Sequence, residues 1–391
     1  MEASQSHYRV HFIIIFLLVC FNLRMAFSAA DPLLVFLMRD LGLGVSSSGL
    51  FGLLPIMSLG IAAPLGAVIA RHIRPRILII YALCLSIFGV IWRSYGGIPG
   101  LFCGTVIIGL GLGIAGSIIL GVGKQVMPDR QPELMSAYTA CVSLGTAVGS
   151  GASAPMALLL GGWQHGLLFW ALPLLIATLL WGELTLRARH THIRQTTLYT
   201  PLLPLLKQRK ARMVTLFYMF RVAGAWLLIV WLATLMRSRG MPLVEAGLVL
   251  SVATSFQIPG SLFSGIFSRW LGGMDRLMIL SIALSIGACW GILEAPLQLW
   301  LLFAILLGFG LGGVFAVGMT LIVESATDEA GTIALSGLAQ GIGFTCGGLI
   351  AWGCGLCMQF DYRDIWMGGF YTLLALAGLY CGLAAWRCRN L

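Results

Sequence analysis

The sequence predicts an all-α integral membrane protein, with twelve transmembrane helices arranged as two pseudo-symmetric six-helix bundles. Three observations carry this: the composition, the spacing of apolar runs, and a glycine pattern that recurs 199 residues further on. The 391 residues are 59% hydrophobic and only 10% charged, where a soluble domain averages about 25% charged. Too few polar residues remain to cover a water-facing surface. That excludes a soluble enzyme, a nucleic-acid module and a disordered chain.

Long apolar runs broken by charges, glycine and proline mark the spans at 11–38, 47–70, 77–95, 100–123, 134–160 and 165–186. A second set follows at 213–236, 243–268, 277–294, 297–320, 331–355 and 364–386. Each is close to the ~20 residues that cross a bilayer as a helix. In hydrocarbon the backbone groups must be satisfied within the segment, and runs this long are helices, not barrel strands. Residues 12–21 with Phe27-Ser28-Ala29-Ala30 imitate a cleavable leader, but Arg24 interrupts the pattern and the apolar run resumes from Leu33 to Met38. The first helix is therefore expected to stay.

The net charge of +10 would point to nucleic acid in a soluble chain; here it sorts by side. With the N-terminus inside, 17 of the 24 Lys and Arg fall in cytoplasmic regions, seven of them between 187 and 212. Five sit at outer loops and helix ends: Arg39, Arg93, Arg237, Arg239 and Arg363. This split predicts both termini in the cytoplasm, in a cell inner (plasma) membrane. The basic 187–212 stretch holds orientation and touches anionic lipid. Only Arg24 and Arg221 are left inside helices.

The 187–212 stretch divides residues 1–186, an N-terminal six-helix bundle, from a C-terminal bundle at 213–391. The halves resemble each other. Gly109-Leu110-Gly111-Leu112-Gly113 matches Gly308-Phe309-Gly310-Leu311-Gly312, and Gly66 before Arg71 matches Gly265 before Arg269, both at an offset of 199. Arg24 and Arg221 are 197 apart, each near the middle of the first helix of its half. Parallel repeats with a site near the midplane are a secondary-transporter architecture. The glycines let helices approach closely; no strand precedes them and no Gly-Lys-Ser/Thr follows, so they are not phosphate loops.

Further residues carry a resemblance. Asn22-Leu23-Arg24 precedes Pro32-Leu33-Leu34, and Leu53-Leu54-Pro55 runs to Ala63-Pro64-Leu65. Arg93-Ser94 closes the third segment, Lys124 and Pro128 follow the fourth, and Leu335-Ser336-Gly337-Leu338-Ala339-Gln340-Gly341 lies in the eleventh. Over nearly its whole length the chain resembles the major facilitator superfamily, and within it the cyanate/nitroimidazole transporter branch. The resemblance implies alternating access by two rocking halves, without ATP. The family's loop signature fits at Gly66, Arg71, Arg74 and Arg76, with Ala70 where an Asp is usual and Pro75 where a basic residue is usual. Arg71, Arg269 and Arg93 are the expected gating residues. Gly145-x-x-x-Gly149 resembles the antiporter signature of drug/proton exchangers, but Ser150-Gly151 replaces its Gly-Pro core.

An ionisable side chain at mid-membrane costs several kcal/mol and marks function by default. Arg24 lies about thirteen residues into its span, near the midplane at about 1.5 Å per residue. Asp31 follows two turns later, about 10 Å along the same face, as a charge pair or a proton-coupling group. Arg221 has Tyr218 one turn before it. Two forked cations with one carboxylate leave a positive cavity suited to a carboxylate, phosphate or phosphonate. The resemblance covers Arg24 but neither Asp31 nor Arg221, so the substrate is expected to depart from the family's small ones. The expectation is a small organic anion or zwitterion held between Arg24 and Arg221, lined by Asn22, Tyr138, Trp226, Gln257 and Gln340, with packing and interhelical hydrogen bonds the plainer role for these five. Proton-coupled efflux of a small drug-like or aromatic heterocyclic compound is the alternative.

A membrane-embedded enzyme would need a catalytic cluster. The six histidines are scattered among loops and termini, and no metal, triad or cofactor pattern emerges. Cys354-x-x-Cys357 has redox spacing but no further Cys or His beside it, and reads as packing. The expected partners are a small solute, a proton and the lipid bilayer. One chain holds a whole pathway, so a monomer suffices.

Overall fold

The computed structural model of the chain describes residues 2–42, 45–190, 200–358 and 364–388. His192, Arg194, Arg363 and Arg389 lie outside the described residues, as do the side chains of Arg39, Arg189, Cys354 and Cys357.

Among the described residues every regular element is helical. The first span is α1 (Glu2–Ser28), a 3-10 turn (Asp31–Leu33) and α2 (Leu34–Leu41). Next come α3 (Val45–Ile69), α4 (Pro75–Tyr95), α5 (Gly97–Val126), α6 (Gln131–Leu159), α7 (Trp163–Leu168) and α8 (Ala171–His190). The short α9 (Leu202–Lys207) opens the later part, followed by α10 (Arg209–Ser238), α11 (Leu243–Leu262) and α12 (Ser264–Leu271). The chain ends through α13 (Met274–Glu294), α14 (Trp300–Ser325), α15 (Glu329–Met358) and α16 (Asp364–Arg387). Ten helices among the described residues are long and apolar enough to cross a membrane, and a bent pair makes an eleventh. A shorter apolar helix at Leu54–Ile69 covers the remaining expected segment. The polypeptide is a multi-span membrane protein.

Two spans differ from the unbroken helices expected of them. The first breaks after Ser28, because Asp31 precedes Pro32: proline lacks an N–H and crowds the residue before it out of the α region. The eighth bends by 56° between Leu262 and Ser264. Pro259-Gly260-Ser261 sits just before the bend, and Ser264 Oγ bonds back to the Ser261 carbonyl at 2.6 Å.

The chain forms two compact units. One comprises Met1–Pro128, Leu144–Leu202 and Asp328–Gly341; the other comprises Asp129–Ser143, Leu203–Thr327 and Ile342–Leu391. Inside each, the repeated glycines do the same job. In the first unit, a Cβ on Gly111 would lie 2.4 Å from the Ala82 carbonyl and 2.2 Å from Ser86 Oγ. In the second, a Cβ on Gly310 would lie 2.8 Å from the Ser281 carbonyl and 2.8 Å from the Ser285 nitrogen. Positions 82 and 281, and 86 and 285, keep the offset of 199. Small residues bring α5 onto α4 and α14 onto α13 by one repeated contact.

Candidate functional site

In the second unit, α10 carries Arg221 in its middle, with its guanidinium 4.1 Å from the centroid of the Phe315 ring on α14 and 5.3 Å from that of Tyr218. A desolvated cation on an aromatic face gains about 2 kcal/mol, which helps a charge sit in an apolar bundle. Gly318, one turn along α14, lies beside the arginine stem: a Cβ there would be 3.7 Å from Arg221 Cδ, an ordinary contact. Arg221 lines a small cavity together with Gln257 of α11, Ser285 of α13 and Tyr371 of α16. The Ser285 hydroxyl donates to the Ile282 carbonyl of its own helix at 2.9 Å. Gly224 faces the Tyr371 ring, 3.1 Å from where a Cβ would stand. Arg221 and Gln257 of the sequence-predicted set thus meet in one wall. Tyr218 supports that wall from behind: it is buried, edge-on to Phe344, and held against Gly343, where a Cβ would come within 2.5 Å of the ring. Trp226 is half-buried on the same helix and is not part of the cavity lining.

The first unit holds the other predicted group. Arg24 is half-buried with its guanidinium 5.6 Å from the Phe27 ring centroid on the next turn. Position 116, the counterpart of Phe315, is glycine, so the ring that braces Arg221 has no equivalent beside Arg24. Asp31 opens the 3-10 turn beyond the end of α1, not two turns along an unbroken helix as its spacing predicts. Its charge faces those of Arg93 and Arg24. Arg93 sits at the helix end expected of it, in the last turn of α4, but is not exposed there. It is 1% exposed and donates from Nη2 to the Ala26 carbonyl at 2.9 Å. The break in the first span strands the last carbonyls of α1, and a buried cation at that negative helix end satisfies one of them. Asn22 is fully buried, with Nδ2 donating to Leu18 within its own helix at 2.9 Å and no partner for Oδ1 among the described residues. Gln340, also buried, donates to Ser336 at 2.8 Å and to the Gly116 carbonyl at 3.5 Å.

Of the expected gating residues, Arg269 pairs with Glu133 at 2.9 Å, beside a buried Ser136–Ser264 hydroxyl contact of 2.7 Å. Tyr138, 4% exposed, lies one turn further along α6. Arg71 is exposed on the turn after α3. Sequence reasoning missed Glu133, Phe315, Ser285 and Tyr371. Glu133, three residues into its helix, had a signal in its favourable place at a positive helix end. Phe315, Ser285 and Tyr371 had none. Arg239, expected at a helix end, also caps α13 through the Ile292 carbonyl and, at 2.8 Å, the Ala295 carbonyl.

The comparisons with known proteins agree with this architecture. The family model described as Major Facilitator Superfamily matches residues 15–351. The cyanate transport protein CynX of Escherichia coli (strain K12) is 26% identical, over 92% of this chain and 93% of its own. The 2-nitroimidazole transporter of the same organism is 28% identical, over 84% of this chain and 83% of its own. The solved structure of the proton:xylose symporter XylE bound to 6-bromo-6-deoxy-D-glucose superposes with a TM-score of 0.76 at 13% identity. It covers 98% of this chain and 96% of its own, and so speaks for the fold. Family and fold are those of transporters, not enzymes. The chain belongs to the major facilitator superfamily.

Proposed function

We propose that this transporter moves a small organic anion or zwitterion by alternating access, with Arg221 and Arg24 recognising its negative group. One observation carries the reading: Arg221, a cation in mid-helix, lines a cavity with Gln257 and is braced there by Phe315. A charge so placed costs several kcal/mol unless it has work to do, and a guanidinium fork matches carboxylate geometry. Asn22, Tyr138, Tyr218, Trp226 and Gln340 are the supporting set. Asp31, facing Arg93 and Arg24, is the candidate for proton coupling. Arg71, Arg93 and Arg269 serve gating, the last through Glu133.

The division into an N-terminal bundle at 1–186, a basic linker at 187–212 and a C-terminal bundle at 213–391 belongs to this proposal. So do an inner-membrane location, cytoplasmic termini and a monomeric state. Counterflow uptake of radiolabelled anions into proteoliposomes tests it. Arg221→Gln should cut uptake at least tenfold; undiminished uptake and affinity would end the proposal. Efflux of a neutral heterocycle is the second reading, favoured by the relative named as a 2-nitroimidazole transporter. It predicts uptake indifferent to substrate charge.

A further inference from the structure

Cations gather at the end of the second unit where α10 begins and α16 finishes. Lys207, Arg209 and Arg212 are exposed there, the two arginines one turn apart on α10. Arg387, in the last turn of α16, is exposed as well. The packing of α16 on α10 brings it alongside. A Cβ on Gly224 would stand 3.1 Å from the Tyr371 ring, one on Gly378 3.5 Å from Phe220 Cβ, and one on Gly382 3.0 Å from Phe217 Cδ2. The two helices are therefore antiparallel, and the Gly382–Phe217 register carried on sets Arg387 level with Arg212. Lys210 turns inward instead, 7% exposed and facing Glu324 and Cys388. No Asp or Glu occurs between Glu183 and Glu245, or after Asp364, to offset the four exposed cations. An apolar seat adjoins them. Leu205, 4% exposed, pins α9, while Leu203, one turn before Lys207 on the same face, is 77% exposed.

We infer that Lys207, Arg209, Arg212 and Arg387 form one docking surface for anionic phospholipid headgroups, with Leu203 seated among the acyl chains. Of the basic run at 187–212 this surface takes three cations, leaves out Lys210, and adds Arg387 from a distant part of the chain. It stands apart from the solute site and needs only that this end of the unit meets a face of the bilayer. Leucine beside exposed cations is the make-up of a segment lying in the membrane interface, the leucine reaching hydrocarbon and the lysine stem snorkelling back to the headgroups. A soluble anion would have no use for the leucine. Each Lys or Arg at the surface strengthens attraction to anionic lipid by about fivefold, at about 1 kcal/mol.

The test titrates the full chain in detergent with dioleoyl phosphatidylglycerol or dioleoyl phosphatidylcholine, counting bound lipid by native mass spectrometry. Wild-type protein should take the anionic lipid at least tenfold more tightly. Arg209→Gln on α10 and Arg387→Gln on α16 should each weaken it about fivefold. Arg209→Lys, which keeps the charge, should not. Arg237→Gln, exposed at the other end of α10, should leave the preference intact. Leu203→Ser should weaken both lipids alike. All these side chains are exposed, so the variants keep the fold. Equal binding of the two lipids by wild type, or a preference untouched by both Gln variants, overturns the surface. An unchanged affinity in Leu203→Ser overturns the seat. Displacement of the anionic lipid by excess inorganic pyrophosphate makes this a site for a soluble anion and overturns the assignment to lipid.

Discussion

Replacing Arg93 with glutamine probes how the broken first span is held. The guanidinium is 1% exposed and reaches the Ala26 carbonyl, itself on a fully buried residue, at 2.9 Å. Glutamine is too short to reach that oxygen, so a buried acceptor at the end of α1 loses its partner, at a cost of about 1–3 kcal/mol. Asp31 loses a nearby cation as well. Removing a buried charge offsets part of the loss. The net expectation for Arg93→Gln is a destabilisation of about 1–3 kcal/mol. Thermal unfolding of the solubilised protein, followed by tryptophan fluorescence, gives the loss. Amide exchange localises it, with protection falling first around residues 25–33. Arg237→Gln, at an exposed arginine, is the control and should stay within about 0.5 kcal/mol of wild type. If the two variants unfold alike, the buried-cap account of Arg93 is wrong.

Three further outcomes follow from the same geometry. Asp31→Asn should abolish the pH dependence of net uptake while exchange across the membrane survives; an unaltered pH profile removes Asp31 from coupling. Gly308→Ala sets a Cβ 2.4 Å from the Ala253 carbonyl and should cost about 1–3 kcal/mol by overpacking. Gly287→Ala meets nothing within 4 Å and should be neutral or stabilising by up to about 1 kcal/mol; equal unfolding midpoints for the two would contradict the glycine-contact repeat. The Glu133–Arg269 side chains are 41% and 63% exposed, so Glu133→Gln should change stability by less than about 1 kcal/mol. Its effect should appear in transport rate, and exchanging the two charges should restore that rate. A rate unaffected by Glu133→Gln counts against gating.

The helices were legible because a bilayer leaves the backbone no other choice, and the glycine offset was legible because close contacts demand small residues wherever they recur. The 199-residue offset of Gly111 and Gly310 was visible before any coordinate, and the structure adds that their contact partners keep the same offset. Arg24 and Arg221 stood out by the cost of their charge. The break before Pro32 was written in the sequence too, but the length of the apolar run overrode it, and with it the placement of Asp31 shifted. Arg93 could not be read: its closeness to a helix end suggests exposure. Only the ending of α1 on the neighbouring helix supplies the acceptor that keeps it buried. Ser285 and Tyr371 are ordinary membrane residues until α13 and α16 pack around α10 and make them walls of one cavity, and Phe315 becomes the face on which Arg221 rests only when α14 packs there too.

The central claim is that a fixed positive charge selects the solute, and a matched pair of ligands tests it without any mutation. Benzoate and benzamide share size and ring and differ in charge. Equilibrium binding to wild-type protein in nanodiscs should favour benzoate by at least tenfold, since the amide presents donors where Arg221 needs an acceptor. Equal affinity, or a preference for benzamide, would contradict the account and favour transport of a neutral heterocycle.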